Sequence, residues 1–450
     1  MKNTIVIILA AGEGTRFNSE TPKVLHRILG KTIIERVLET VKTGFCKKIV
    51  VVGHRAELIK SVMVGKDVFF AVQKKQLGSG DAVKCAESYC VGHSGGNVVV
   101  LCGDVPLLKR KTITELLAVH KKEKASATVL TCDAENPSHY GRIVRNTDGG
   151  VKAIVEEKDA SDEIKKIKEI NSGIYAFSSS ELFSALSEIK NNNSKGEYYL
   201  TDVISVLGER NKKVISYKID GFREIMGINN RCELAEAEDY ICASVLKELM
   251  LSGVTIINPA TVHIEETVKI EKDTTIMPST IIKGKTKIKA GSTIGPFSYV
   301  EDCLIGKNVE IKASFVYGAE IADDVKIGPF SHIRKETKIG RHSRIGNFSE
   351  IKKSVIGENT KVSHLSYIGD SYLGKNINIG AGTITCNYDG KNKYKTEIGD
   401  NTFVGSNTNF VAPIKIGKGV LIAAGSTITD DVPDNKLAIA RERQVVKDRR

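Results

Sequence analysis

Residues 264–300 read IEETVKIEKDTTIMPSTIIKGKTKIKAGSTIGPFSYV, and an aliphatic residue returns at every sixth position: Ile264, Ile270, Ile276, Ile282, Ile288, Ile294 and Val300. After a short slip the step resumes at Ile327, Ile333, Ile339, Ile345 and Ile351, and pieces of it persist at Ile368, Leu373, Ile379, Ile416, Ile422 and Ile428. A step of six fits neither the helical stripe nor strand alternation. It fits a short strand, a turn and another strand, each face sending one aliphatic side chain inward. One such unit cannot bury that side chain alone, whereas stacked coils bury it in a continuous apolar column. The spacing therefore predicts a parallel β-helix. Glycine often follows the inward residue, as in Ile294-Gly295, Ile327-Gly328, Ile339-Gly340 and Ile345-Gly346, where a corner has to relax the backbone.

Ahead of this repeat the pattern changes twice. Residues 1–230 alternate strand-like runs (5–9, 48–52, 68–72, 98–101) with helical stretches (33–43, 81–89), which predicts an α/β, Rossmann-like, mostly parallel sheet covered on both faces. Ligands then bind beyond the carboxyl ends of the strands. In residues 231–252, Leu234, Ala237, Ile241, Val245 and Leu249 repeat at three and four, an amphipathic helix with acidic residues early and Ser252-Gly253 at its end. The expected domains are thus 1–230, a linker helix 231–252, and the β-helix 253–450.

The chain has 450 residues, 41% of them hydrophobic and 27% charged, enough for two or three domains with large cores. The net charge of +12 is spread along the repeat and accompanies no nucleic-acid-binding motif, so no nucleic-acid partner is expected. The apolar run Thr4 to Ala11 is too short to span a membrane and runs straight into a glycine loop, as a buried strand of a cytoplasmic protein would. Nine cysteines, scattered and without a C-x-x-C pair, argue against zinc and disulfides.

The loop after the first strand reads Leu9-Ala10-Ala11-Gly12-Glu13-Gly14-Thr15-Arg16. Small residues there let backbone N–H groups approach a phosphate chain. As a dinucleotide fingerprint it fails, because Phe17 stands where the third glycine belongs; the P-loop fails as well, since Gly30-Lys31-Thr32 is preceded by Leu25. With Pro22-Lys23-Val24, the stretch resembles the sugar-1-phosphate nucleotidyltransferases. The likeness continues in Gln73, Gln76-Leu77-Gly78-Ser79-Gly80, Cys102-Gly103-Asp104-Val105-Pro106, Tyr140-Gly141-Arg142-Ile143, Val155-Glu156-Glu157-Lys158, Asn171-Ser172-Gly173 and Gly227-Ile228-Asn229-Asn230.

That resemblance implies transfer of a uridylyl group from UTP to a sugar-1-phosphate, with Asp104 and Asn229 holding Mg²⁺ and Arg16 and Lys23 offsetting charge on the transferred group. It implies that Leu9, Ala10, Ala11, Gly12, Gln73, Gly78 and Ser79 hold the uridine, with Cys102 and Gly103 beside them, and that Gly141, Glu156 and Asn171 hold an N-acetyl sugar. Glu13 departs from the basic residue common in this loop and is expected to point away from the phosphates.

The repeat resembles the hexapeptide-repeat acyltransferases, which implies a left-handed coil, a homotrimer, and acetyl-CoA in grooves between subunits. Arg334, Glu350, Lys352, His364, Tyr367 and Asn378 follow one another at about one coil or less, and after the stretches His364 to Asp370 and Asn376 to Gly390 the register breaks until Glu397-Ile398-Gly399, where a loop leaves the prism. By resemblance His364 is the general base, oriented by Glu350. Arg334 and Lys352 grip the sugar phosphate and Tyr367 and Asn378 the ring. Ala381, Asn387, Tyr388, Ser406, Ala424 and Arg441 line the acetyl-CoA channel. Together the two halves are similar to a bacterial family of two-activity enzymes that acetylate glucosamine-1-phosphate and then uridylylate N-acetylglucosamine-1-phosphate. The competing readings are a single-activity nucleotidyltransferase on a structural β-helix, against which Arg334, Lys352, His364 and Asn387-Tyr388 argue, and a non-catalytic exchange subunit, against which Arg16, Lys23 and Asp104 argue.

Overall fold

The strand Thr4–Ala10 lies inside a sheet whose order, from edge to edge, is Val214–Ile219, Ala127–Asp133, Glu169–Ser178, Asn97–Cys102, Thr4–Ala10, Lys47–Val52, Phe69–Val72. Its residues are buried almost throughout, as its unbroken aliphatic run requires. The computed structural model describes residues 3–92, 95–147 and 149–449; Met1, Lys2 and Arg450, at the outer ends of the expected domains, lie outside the described residues.

The sheet is mostly parallel along this path, as expected, with one strand reversed. Glu169–Ser178 runs antiparallel to both of its neighbours, Asn97–Cys102 and Ala127–Asp133. The chain between Ala127–Asp133 and Glu169–Ser178 folds chiefly into the hairpin Arg142–Arg145/Val151–Val155 instead of a long crossover helix, and without that crossover the return strand runs antiparallel. The helix expected over 81–89 is broken into Ser79–Lys84 and Glu87–Cys90, and the one expected over 33–43 ends at Thr40, after a Thr32/Glu35 capping box at its start.

The repeat forms three parallel sheets of eleven, ten and nine short strands, running from Thr255–Ile256 to Leu437–Ala438. The inward residues are those of the six-step: Ile264, Ile276, Ile282, Ile288, Ile294 and Val300 are at most 1% exposed, and only Ile270, near the open end, is half-buried. The slip in the spacing is structural. Ile288 pairs with Ile305, Val300 with Val316 and Ile305 with Ile321, so some corners lose one residue while the inward column stays aligned. At Gly346 the need for glycine is proximity to the next coil, because a Cβ there would lie 1.9 Å from the Ser363 carbonyl oxygen; at Gly295 it is φ of +98°.

A second inward file escaped the periodicity. Ser292, Ser331, Ser343 and Thr360 are buried two residues before an inward aliphatic, and their hydroxyls bond to neighbouring coils: Ser331 Oγ donates to Gly346 O at 2.7 Å, and Thr360 Oγ1 donates to Gly374 O at 2.8 Å while accepting from Ile377 N at 3.1 Å. They satisfy backbone groups that the corners leave out of the ladders.

Ile351 is 0% exposed within this column. Ile351→Ala is expected to cost about 2–5 kcal/mol, since stiff coils close poorly over a cavity; a denaturant midpoint for the β-helix transition unchanged from wild type would refute this.

Candidate functional site

Two sites are built, one in each unit. The chain divides between Asp239 and Tyr240, inside the helix Arg231–Leu251 expected as the linker, so each unit owns part of that helix.

In the first unit Leu9 pairs with Cys102, which brings the loops after both strands to the same carboxyl edge. Gly103 N donates to Leu9 O at 2.9 Å, and a Cβ on Gly103 would meet that oxygen at 2.7 Å. Ala10 and Ala11 are buried, whereas the Cβ side of Gly12 is open, with nothing within 4 Å. Arg16 and Lys23 each lie on a single 3-10 turn, Thr15–Phe17 and Lys23–Leu25.

These turns deliver their cations to one point. Arg16 Nη2 donates to Asn229 Oδ1 at 2.8 Å; Lys23 Nζ donates to Asp104 Oδ2 at 2.5 Å and to Asn229 Oδ1 at 3.3 Å. Asp104 is anchored through its carbonyl, which accepts from Ile228 N at 2.9 Å, and Asn229 N donates to Glu233 Oε2 at 2.6 Å. Asn230 Oδ1 in turn accepts from Glu233 N at 3.0 Å and caps the long helix. Glu13 is exposed and makes no ion pair among the described residues.

Gln73 is buried, and its Nε2 donates to Gly78 O at 3.0 Å and Asp81 Oδ2 at 2.8 Å, so it braces the Gly78 loop. Gly78 has φ of +114° and its Cβ would meet Tyr198 O at 2.5 Å; Ser79 Oγ accepts from Leu200 N at 3.0 Å. The residues expected on the sugar side meet at a register shift in Glu169–Ser178, between Asn171 and Tyr175, a bulge of the kind that re-aims side chains beside sites. Asn171 N donates to Gly141 O at 2.9 Å, Asn171 Nδ2 donates to Tyr175 Oη at 2.8 Å, and Thr201 Oγ1 reaches Glu156 Oε1 at 3.5 Å. Burial raises the Glu156 carboxyl above its usual value, against the pull of Lys195. Burial also pushes the Cys102 thiol up to about 12, so it stays protonated and poorly nucleophilic at neutral pH.

In the second unit the pairing register sorts the residues into files. Val362 pairs with Ile379, Ile379 with Val404, and Val404 with Ile422. His364, Ala381, Ser406 and Ala424 each stand two residues after one of these, so they share one edge of the prism. Arg441 joins them, its Nη1 donating to Ala424 O at 2.8 Å. The expected base, His364, and most of the expected acetyl-CoA residues thus form a single line.

The partner of His364 differs from expectation. Its Nδ1 lies 2.7 Å from Asn347 Oδ1, on the paired position of the preceding coil, while Glu350 Oε1 accepts from Arg334 Nη1 at 2.9 Å. With Nδ1 donating to an amide oxygen, Nε2 keeps its lone pair. Asn387 also departs from the acetyl-CoA grouping: its Nδ2 donates to Asp370 Oδ2 at 2.5 Å and lies 3.5 Å from Tyr367 Oη. Asp370 accepts from Lys352 Nζ at 3.2 Å.

The loop where the register breaks folds back, with Tyr388 bridged to Lys393. The Lys393 ammonium faces that of Lys352, which lowers its pKa; Arg334 adds to the effect and Asp370 opposes it. Arg334, Lys352 and Lys393 thus stand with two carboxylates, Glu350 and Asp370, which leaves the cluster one positive charge in excess. Sequence reasoning missed Asn347, Asp370 and Lys393. Lys393 sits in the loop already flagged by the broken repeat, and Asp370 ends a stretch already singled out. Asn378 is half-buried in the same sheet as Lys361, and Tyr388 is exposed.

Comparison with known proteins agrees with both halves. The nucleotidyl transferase family model matches residues 5–225, and the bacterial transferase hexapeptide model (six repeats) matches residues 318–353 and 395–430. The bifunctional protein GlmU of Halalkalibacterium halodurans is 47% identical over 449 residues, covering 100% of this chain and 98% of its own; that of a Geobacillus species is 49% identical over 449 residues, covering 100% and 97%. The chain belongs to the GlmU family. GlmU enzymes are bifunctional, and this one carries the glucosamine-1-phosphate N-acetyltransferase and UDP-N-acetylglucosamine diphosphorylase activities that make UDP-N-acetylglucosamine, a precursor for cell-wall synthesis. Its architecture is the GlmU pairing of a Rossmann-like nucleotidyltransferase unit with a left-handed β-helix of hexapeptide repeats. The substrates are small molecules, and nucleotidyl transfer in the family uses a divalent metal.

Proposed function

We propose that the two activities are divided between the two sites in the order acetylation, then uridylylation, within domains close to 1–230 and 253–450. The observation that carries the first assignment is the line of His364, Ala381, Ser406 and Ala424 along one edge, beside the cluster of Arg334, Lys352 and Lys393. Arg334, Lys352 and Lys393 hold the phosphate of glucosamine-1-phosphate, and Tyr367 and Asn378 hold the ring. His364 Nε2 takes a proton from the substrate ammonium, the freed amine attacks the acetyl-CoA carbonyl, and the CoA thiolate leaves. Asn347 fixes the imidazole, while Glu350 holds Arg334 in place. Ala381, Ser406, Ala424 and Arg441, with Tyr388, line the CoA path.

In the first unit a phosphate oxygen of N-acetylglucosamine-1-phosphate attacks the α-phosphorus of UTP, and pyrophosphate leaves. Asp104 and Asn229 fit Mg²⁺: both are oxygen donors, both already face one cation, the Lys23 ammonium, and such a site completes itself with water and substrate phosphate. Held by these two residues, a Mg²⁺ ion would supply charge neutralisation to the phosphates. Arg16 and Lys23 stabilise charge on the transferred group. Leu9, Ala10, Ala11, Gly12, Gln73, Gly78, Ser79, Cys102 and Gly103 frame the uridine side; Gly141, Glu156 and Asn171 take the sugar.

A homotrimer belongs to this reading. Phe297, Phe330, Phe348 and Leu365 are exposed along one prism edge at positive φ, with Phe330 stacked on Phe348 at 5.5 Å, an apolar strip suited to another subunit. So does a cytoplasmic location; among the described residues no helix is long and apolar enough to cross a membrane.

One assay tests the division of labour. The protein is supplied with glucosamine-1-phosphate, acetyl-CoA, UTP and Mg²⁺, and CoA thiol and pyrophosphate are followed separately. Release of both, with pyrophosphate dependent on acetylation, is expected. Pyrophosphate from glucosamine-1-phosphate without acetyl-CoA would overturn the order.

A further inference from the structure

Three segments supply the polar cluster of the nucleotidyl-transfer site: Arg16, Lys23 and Asn229. The same three segments, within three residues, supply a second set, centred on the Phe17 ring. Phe17 and His26 stack with ring centroids 4.5 Å apart and planes inclined by 33°, and the Arg231 guanidinium lies 5.9 Å from the Phe17 centroid. Each cation is therefore tied by a short, hydrogen-bonded stretch to a member of the stack.

The ties are stiff. Phe17 directly follows Arg16 and its N–H donates to Gly14 O at 2.9 Å; His26 N donates to Lys23 O at 3.2 Å, closing the lysine turn. His26 O is itself pinned, accepting from Ile33 N at 2.9 Å. A single 3-10 turn has little stability of its own, and Phe17, 2% exposed, is the buried residue of the Arg16 turn. Beyond the side-chain bonds that Arg16 and Lys23 both make to Asn229 Oδ1, the stack is what ties the backbone of the Arg16 turn to that of the Lys23 turn. The two turns approach closely: a Cβ added to Gly14 would fall 2.8 Å from Lys23 Cβ.

The ring also does no visible polar work on its inner side. His26 Nε2 is buried and has no hydrogen-bond partner among the described residues. Burial and the Arg231 charge disfavour the imidazolium, against a hydrogen bond to the Thr21 backbone, which favours a neutral ring beside Phe17.

We infer that His26 is a positioning residue of uridylyl transfer, its ring acting through the stack on Phe17 to fix the spacing between the turns that carry Arg16 and Lys23. The inference rests on the roles given above to those two cations. It assigns His26 no contact with substrate.

The test uses the full chain with UTP, N-acetylglucosamine-1-phosphate and Mg²⁺, measuring kcat and KM for pyrophosphate release. His26→Ala removes the ring and is expected to lower kcat about ten- to a hundredfold, the scale of a small misplacement of catalytic groups, with KM for UTP little changed. His26→Phe restores a stacking ring without its nitrogens and is expected to stay within about threefold of wild type, on the same principle that ring position is what counts. A smaller loss in His26→Ala, or a His26→Phe variant as slow as His26→Ala, overturns the inference. Arg16→Ala and Lys23→Ala are run alongside. Full activity in those two would overturn the site reading and the inference with it, whereas their loss beside an active His26→Ala overturns the inference alone.

Discussion

His364→Ala lowers acetyl transfer to glucosamine-1-phosphate by about 10² to 10⁴, the range for a lost general base, and leaves UTP-dependent pyrophosphate release from N-acetylglucosamine-1-phosphate unchanged. The size of the effect follows from the substrate. An ammonium has no lone pair to attack a thioester, and near neutral pH a neutral imidazole is the side chain suited to accept its proton. His364 is exposed on its edge, with Nδ1 engaged by Asn347 at 2.7 Å and Nε2 unengaged among the described residues. Independence of the second activity follows from the uridylyl site being built wholly from the first unit. Equal loss of both activities, or retention of acetyl transfer, would remove His364 from the role. Asn347→Ala separates orientation from chemistry: it should slow acetyl transfer less than His364→Ala, because the base remains and only its aim is loosened.

Asp104→Ala does the reverse. Uridylyl transfer is expected to fall by about 10² to 10³, the usual result of deleting one preorganised electrostatic group, and acetyl transfer should stay intact. Asp104 meets Lys23 at 2.5 Å with both side chains largely shielded, 24% and 16% exposed. Removing the carboxylate takes away one proposed metal oxygen and leaves the Lys23 ammonium bonded to Asn229 among the described residues. The signature sought is a rate that recovers partly as Mg²⁺ is raised, since Asn229 remains. A normal rate at ordinary Mg²⁺ would eliminate Asp104 as a metal ligand.

What the chain reveals unaided depends on how local each determinant is. The Ile ladder is legible because long runs of inward residues keep one spacing between a few shortened corners, and nothing but a coil buries residues at that step. The buried Ser and Thr file is not, because Ser292, Ser331 and Thr360 look like ordinary polar residues until the neighbouring coil supplies their partners. The reversed strand Glu169–Ser178 is hidden for a similar reason, since strand direction belongs to the connection and not to the strand. Arg16, Lys23 and Asp104 announce themselves by motif, while their meeting at Asn229, more than two hundred residues from Arg16, does not. The partner of His364 is a matter of register: Asn347 and His364 each lie two residues past an inward aliphatic, on an edge, whereas Glu350 precedes Ile351, on a face.

The shortened corners carry one more consequence. Between Val300 and Ile305, between Ile311 and Val316, and between Ile351 and Ile356 the chain drops a residue, yet the strands on either side pair in line. A corner thus absorbs a deletion without passing a frame error to the coils above it. Length changes in this half of the molecule are tolerable one residue at a time at corners, or a whole turn at a time anywhere beneath the site. A single residue lost within a strand would turn its inward aliphatic out to water and set every later catalytic side chain on the wrong edge.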